Sequence, residues 1–167
     1  MDFGLALKRL EDLENAIEKL YVWFAELCRP DPSVASLFNS LSHEEHMHAD
    51  IIRYQFRIYQ KNKGHFRDVE IDTEAISALT GRIRELMIVG RITTSEEALE
   101  AAYKIENSAS EHYYVLAGSQ SNPEIKNVLK AMASSCNEHH GRLARFFTST
   151  GLDVPTDKDF EPQGPQS

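Results

Sequence analysis

The chain has 167 residues and a mass of 19.0 kDa, which suffices for one domain with a sizeable core. Its formal net charge of -8 at pH 7 argues against binding to nucleic acid or to an anionic membrane surface. No apolar run approaches the ~20 residues of a membrane span, and the N-terminal residues do not resemble a signal peptide. We therefore expect a cytoplasmic protein.

Two segments in the first part of the chain have the apolar spacing of helices, with hydrophobic residues three and four apart. The first runs from about Leu5 to Leu27 and ends before the prolines of "RPDP". The second starts at Asp31-Pro32, an N-cap followed by a first-turn proline, and continues to about Lys61.

Two further helices follow in the second part of the chain. One begins with a capping box of Thr94 and Glu97 and ends near Ser119. The last starts at Asn122-Pro123, again an N-cap with a proline, and ends before Gly151.

The segment between these helix pairs, at about 62–94, contains a shorter amphipathic helix from about Asp72 to Gly90. Short connections within each pair make their helices antiparallel neighbours. The sequence therefore predicts an all-α protein, with residues 1–150 forming an antiparallel four-helix bundle. It consists of two helical hairpins joined by one long crossover that contains the short helix. Residues 151–167, rich in proline, glycine and acidic residues, are expected to form a flexible tail.

An internal repeat relates the two hairpins. A shift of 92 positions places "ALKRLEDLENAIEKLY" (6–21) over "ALEAAYKIENSASEHY" (98–113), with identical alanine, leucine, glutamate, asparagine and tyrosine positions. The same shift places His48 on His140. Two hairpins of one design, related by a rough two-fold axis, are therefore predicted.

Every long helix carries an ionisable residue within its apolar stripe. A helical wheel at ~100° per residue places each of them among apolar side chains. They are Glu14 in the first long helix, Glu45 and His48 in the second, Glu106 in the third and His140 in the fourth. Buried unpaired carboxylates cost several kcal/mol. Three carboxylates with two imidazoles therefore predict divalent metal ions between them. Oxygen and nitrogen ligands suit iron or manganese, and zinc less selectively.

In this pattern the sequence resembles the ferritin-like di-iron carboxylate proteins, and most closely their rubrerythrin branch. In that family one helix of each hairpin supplies a glutamate and the other a Glu-x-x-His motif. The resemblance implies Glu14 and Glu106 as terminal ligands of two iron ions, with Glu45 bridging them. It also implies His48 and His140 as the nitrogen ligands.

Two tyrosines and the remaining ionisable residues of "LSHEEHMHADII" are expected around the metal ligands or at the surface. Tyr21 and Tyr113, seven residues after the terminal glutamates, match tyrosines that hydrogen-bond to carboxylates beside such sites. His43, Glu44 and His46 point in other directions on the helical wheel and are expected at the surface or around the ligands.

The second Glu-x-x-His motif departs from the family pattern, because residues 137–140 read "NEHH". Asn137 stands at the position that matches Glu45, and its amide offers one neutral oxygen where a carboxylate offers two charged ones. Glu138 would face the site only through a π-bulge. Asn137 and Glu138 are thus two further candidate ligands. We expect one firmly bound ion in the first hairpin and a second that is weaker or absent.

The resemblance implies a metalloprotein that reacts with peroxide or dioxygen in oxidative-stress defence, as a di-iron peroxidase or related oxidoreductase. The chain has only two cysteines, Cys28 and Cys136, and so no rubredoxin-type four-cysteine iron domain; an external electron donor is therefore expected. Two alternatives stay open: ferrous iron oxidation and storage, and a bundle that has lost its metals and serves as an interaction module. A homodimer is expected, with Trp23 as a candidate contact.

Overall fold

The chain folds into α-helices, and the described residues contain no strand. The computed structural model describes residues 3–61, 63, 73–119 and 123–156. Its five helices are α1 (Phe3–Leu27), α2 (Pro32–Lys61), α3 (Thr73–Val89), α4 (Ser95–Ser119) and α5 (Pro123–Thr150). The prediction of an all-α protein is confirmed, and the four long helices and the shorter crossover helix lie where the sequence places them.

The predicted N-cap of α2 is present. Asp31 Oδ1 accepts hydrogen bonds from the backbone N–H groups of Ser33, at 3.1 Å, and Val34, at 3.3 Å. These bonds satisfy two of the amides that a helix start leaves without an intrahelical acceptor. The start of α2, and with it the direction of every side chain that follows, is therefore fixed locally.

The predicted capping box of α4 is also present. The Glu97 N–H donates to Thr94 Oγ1 at 3.2 Å, and the Thr94 N–H donates to Glu97 Oε2 at 3.1 Å. The other two predicted starts, Asp72 and Asn122, lie outside the described residues.

Gly151 ends α5 in the left-handed conformation, with φ of 75°. The Leu152 N–H donates to the Phe147 carbonyl oxygen at 3.0 Å, which is the long-range bond of a Schellman motif. Leu152 and Val154 then pack against the core. The remainder of the predicted tail, residues 157–167, lies outside the described part of the chain.

The helices pack in the pairs expected from the short connections. α1 packs chiefly on α2, α4 chiefly on α5, and the crossover helix α3 on α1. Trp23 is half-buried beside Phe24, with ring centroids 5.2 Å apart, so much of its side chain is part of the protein interior. Within the described residues, no helix has both the length and the apolar character needed to cross a membrane.

Candidate metal centre

The first half of the candidate site lies between α1 and α2. Ligand atoms of Glu14, Glu45 and His48 all lie within 4.8 Å of one another, and all three side chains are buried. His48 Nδ1 is 3.4 Å from Glu14 Oε2 and 3.1 Å from Glu45 Oε2. Glu45 and His48 share a face of α2 because they are three residues apart.

The second half of the candidate site consists of residues from α4 and α5 together with Glu45 of α2. Ligand atoms of Glu45, Glu106 and His139 lie within 4.8 Å of one another. His139 Nδ1 is 2.8 Å from Glu45 Oε1 and 3.4 Å from Glu106 Oε1. The His48 and His139 rings lie nearly parallel, with centroids 5.5 Å apart. Because Glu45 belongs to both groups, they form one continuous cluster.

Several atoms of this cluster are buried without a hydrogen bond. They are Glu14 Oε2, Glu45 Oε1, Glu106 Oε2 and His139 Nδ1. The 2.8 Å contact between His139 Nδ1 and Glu45 Oε1 does not have hydrogen-bond geometry. Buried polar atoms without partners are costly, and carboxylate oxygens and an imidazole nitrogen are donors that divalent cations use. The residues therefore fit metal ions.

The two predicted tyrosines lie beside the cluster, each fully buried. Tyr21 Oη donates a hydrogen bond of 2.6 Å to Glu106 Oε1. Tyr113 Oη donates to Glu14 Oε1. Each bond holds one carboxylate oxygen in place and leaves the other, Oε2 in both residues, without a partner.

The outer nitrogen of each histidine is also held. His139 Nε2 lies 3.0 Å from Glu44 Oε2, and Arg142 Nη1 donates to the other oxygen of Glu44 at 2.6 Å. His48 Nε2 lies 2.9 Å from Ser135 Oγ. Metal-binding histidines are typically oriented in this way, by a carboxylate or another polar group on the nitrogen that faces away from the ion.

The carboxylates have pKa values displaced in opposite directions. Burial raises the pKa of Glu14, and the charge of Glu45 adds to the effect, so that it reaches about 8. Burial and the charge of Glu106 alone would raise the pKa of Glu45, but the close contacts of its carboxylate with Glu14, His139 and His48 lower it. At neutral pH the pair therefore keeps one proton, held mainly on Glu14.

Both imidazoles have raised pKa values. Burial alone would lower the pKa of His48, but the adjacent carboxylates of Glu14 and Glu45 raise it to about 10. Burial would likewise lower the pKa of His139, but the charge of Glu106 and the nearby Glu45 carboxylate raise it to about 11. The cluster therefore attracts positive charge strongly, and protons compete with metal ions for it.

The structure places His139 in the cluster, and not His140. The His140 ring stacks on Tyr103, with centroids 3.9 Å apart. Asn137 and Glu138 are both exposed, and Ser110 Oγ donates to Asn137 Oδ1 at 2.9 Å. Neither Asn137 nor Glu138 belongs to the two groups of potential ligands, and α5 is a regular α-helix that does not turn Glu138 inward.

A difference of one residue between the two hairpins explains this result. Glu14 and Glu106 are related by a shift of 92, but α2 and α5 begin at Pro32 and Pro123, which are 91 apart. A shift of 91 places His48 on His139. The matching Asp-Pro and Asn-Pro helix starts are the signal in the sequence that would have given this register.

The other residues of "LSHEEHMHADII" lie outside the cluster. His43 is exposed, and so is His46, whose Nδ1 lies 3.2 Å from Glu18 Oε1. Glu44 is partly exposed and holds His139, as described above. The expectation that these residues lie at the surface or around the ligands is therefore confirmed.

Residues 97–162 match the rubrerythrin family. This region covers nearly all of α4, the whole of α5 and the segment after it, and it contains Glu106 and His139. No curated protein and no solved structure is significantly similar to the chain. The resemblance inferred from the residue pattern is thus confirmed: the α4–α5 half of this chain is similar to the rubrerythrin family.

Proposed function

We propose that the protein is a ferritin-like four-helix bundle that binds two iron ions and reduces peroxide or reacts with dioxygen. One observation carries the proposal: two groups of buried ligands share Glu45, and four of their donor atoms have no hydrogen bond. Glu14, Glu45 and His48 would hold one ion, and Glu45, Glu106 and His139 the other. Iron is preferred over manganese and zinc because of the similarity to rubrerythrins.

The side chains determine which atoms face the ions. A proton on His139 Nε2, donated to Glu44, leaves Nδ1 free to bind metal. His48 follows the same rule, with Nε2 toward Ser135 and Nδ1 toward the two carboxylates. Both imidazoles would therefore bind through Nδ1, on the side where the unpartnered carboxylate oxygens lie.

When bound, two ferrous ions supply the two electrons that reduce one peroxide molecule to two waters. The reaction also consumes two protons. The buried hydroxyl groups of Tyr21 and Tyr113 hold protons next to the cluster. Their proposed role is to keep the carboxylates oriented and to exchange protons with the reacting oxygen atoms.

A cavity between α2 and α5 offers a route for a small oxidant. Its volume is about 380 Å³, and its lining includes Met47, Ile51 and Met132 together with His48 and Ser135. The lining is mostly apolar, which suits dioxygen and peroxide better than a charged substrate. Because His48 belongs to both the cavity wall and the cluster, the cavity leads to the proposed ions.

The test is to load the full chain anaerobically with ferrous iron and to measure iron per chain by mass spectrometry. We expect two ions in the wild type. Rapid mixing with peroxide should then oxidise two ferrous ions for each peroxide consumed. His139→Gln should lose one ion, and the matched variant His140→Gln should keep both.

The result separates the alternatives. Wild-type protein that binds no metal would contradict the metal centre and favour an interaction module. Iron that is oxidised and retained inside a large shell would favour storage. We propose a homodimer that accepts electrons from an external donor, and light scattering of the purified chain tests the subunit number.

A further inference from the structure

Cys136 occupies the place on α5 that Glu45 occupies on α2. Cys136 precedes His139 by three residues, as Glu45 precedes His48. Residues three apart lie on one face of a helix, and His139 faces the cluster. The second hairpin therefore presents Cys-x-x-His where the first presents Glu-x-x-His.

The Cys136 thiol is buried on the same face of α5 as His139. The side chain is 1% exposed. Burial, followed by the charges of Glu106, Glu14 and Glu45, raises the pKa of this thiol. Cys28, the other cysteine, lies beyond the end of α1, where burial raises the pKa of its thiol and Ser95 and Asp31 have smaller effects.

Two other features of the cluster favour an additional ligand at this position. Glu106 Oε2 and His139 Nδ1 are buried without a hydrogen bond and belong to the helices that bear or face Cys136. The carboxylates also provide only three negative charges, whereas two divalent ions bring four positive charges. Asn137 is neutral and Glu138 is exposed, so neither supplies the fourth negative charge.

We propose that Cys136 binds metal as a thiolate, at the ion held by Glu106 and His139, in place of a second glutamate. The inference rests on the proposed metal centre and adds a sulfur ligand to it. On binding, the S–H bond breaks, its proton passes to solvent, and a sulfur–metal bond forms. The Cys136 sulfur does not belong to either group of ligand atoms that lie within 4.8 Å of one another. Metal binding would therefore move the sulfur toward Glu106 and His139. A soft thiolate shifts the preference of this position toward iron or zinc and away from manganese.

The test is a titration of the full chain with Co(II) under anaerobic conditions, followed by absorption spectroscopy. A thiolate bound to Co(II) gives an intense near-ultraviolet charge-transfer band, whereas oxygen and nitrogen ligands give only weak visible bands. We expect the intense band in the wild type and equally in Cys28→Ser, where Cys136 is the only thiol left. Cys136→Ser should lose the band and bind the second Co(II) at least ~10-fold more weakly.

Each outcome decides the proposal. The band in the wild type and Cys28→Ser supports it, even if Cys136→Ser fails to fold. Two bound cobalt ions without the band in the wild type would overturn the sulfur ligand and leave the metal centre intact. A wild-type protein that binds no cobalt would overturn the proposed function, and the sulfur ligand with it.

Discussion

Tyr21 on α1 donates its hydrogen bond to Glu106 on α4, and not to the glutamate seven residues before it on its own helix. Tyr113 on α4 makes the reciprocal bond to Glu14 on α1. Each helix pair therefore orients the terminal carboxylate of the other pair. The two halves of the candidate centre are structurally interdependent, and a change in one should be detected at the ligands of the other.

Tyr21→Phe should weaken the ion near Glu106. The substitution leaves Glu106 Oε1 buried without its donor, which should lower the free energy of unfolding of the chelator-treated protein by about 1–3 kcal/mol. Loss of a hydrogen bond to a ligand should lower metal affinity about 10- to 100-fold. Urea denaturation and a metal titration measure the two effects. The buried Tyr103 lies outside the cluster, so Tyr103→Phe is the control, and equal losses in both variants would contradict the assigned role.

Glu45→Gln should affect both ions at once, because Glu45 is the residue shared by the two groups. Glu14→Gln should weaken only the ion in the first group. Metal per chain after dialysis measures the difference, with close to zero expected for Glu45→Gln and about one for Glu14→Gln. Glu138→Gln, an exposed change on α5, should keep the wild-type content. If Glu45→Gln retains one firmly bound ion, the shared position is not a bridge.

The stability of the protein should depend on pH in opposite directions with and without metal. The pKa values of Glu14, His48 and His139 are raised to about 8, 10 and 11, so the folded state binds more protons than the unfolded state. With chelator, this stabilisation is complete below the unfolded pKa values and is lost as pH rises through the folded ones. Between pH 7 and 9 the free energy of unfolding should therefore fall as the pH rises, by on the order of 1 kcal/mol per pH unit for each histidine.

With metal bound the trend should reverse, because ions bind the deprotonated ligands and release their protons. Urea denaturation at pH 6 and pH 9, with chelator and with excess metal, gives the four values needed. Metal should raise the stability more at pH 9 than at pH 6. An equal effect at both values would show that the cluster protons are not the ones displaced.

Asn137→Glu should leave metal content unchanged, although the sequence pattern makes it the obvious repair. Asn137 is exposed on α5, so a carboxylate there adds surface charge and no ligand. Cys136→Glu places a carboxylate three residues before His139 and should bind at least as much metal as the wild type. Mass spectrometry of both variants compares them. A gain of one ion in Asn137→Glu alone would show that the register with His140 inward is the correct one.

The sequence was sufficient to predict the helices and to bring Glu14, Glu45 and His48 together as candidate ligands in the first hairpin. Asp31 and Thr94 are residue types that cap helix starts through local hydrogen bonds. Glu14 can be recognised as a candidate ligand because a carboxylate is rare among the apolar residues of a buried helix face. Such features depend only on neighbouring residues and on the 3.6-residue period of the helix. They can be recognised without knowing how the helices pack.

The candidate ligand on α5 could not be chosen in the same way. His139 and His140 are adjacent, and both have apolar neighbours at helical spacing, so a rotation of ~100° decides between them. Packing of α5 against α4 settles that rotation, since it seats His140 on Tyr103 and turns His139 toward Glu45 and Glu106. The crosswise tyrosine bonds were also beyond prediction, because they depend on the distance between α1 and α4.

The helix starts at Pro32 and Pro123 bear on how the two halves of the chain arose. If the halves descend from a duplicated ancestor, one residue has been gained or lost between the terminal glutamate of a pair and the start of its second helix. The same positions of α2 and α5 nevertheless face the cluster, because His48 and His139 lie equally far from the prolines that begin their helices. Alignment of the halves therefore needs a gap at the connection, and ancestral reconstruction without that gap would assign Cys136 and His139 to the wrong positions.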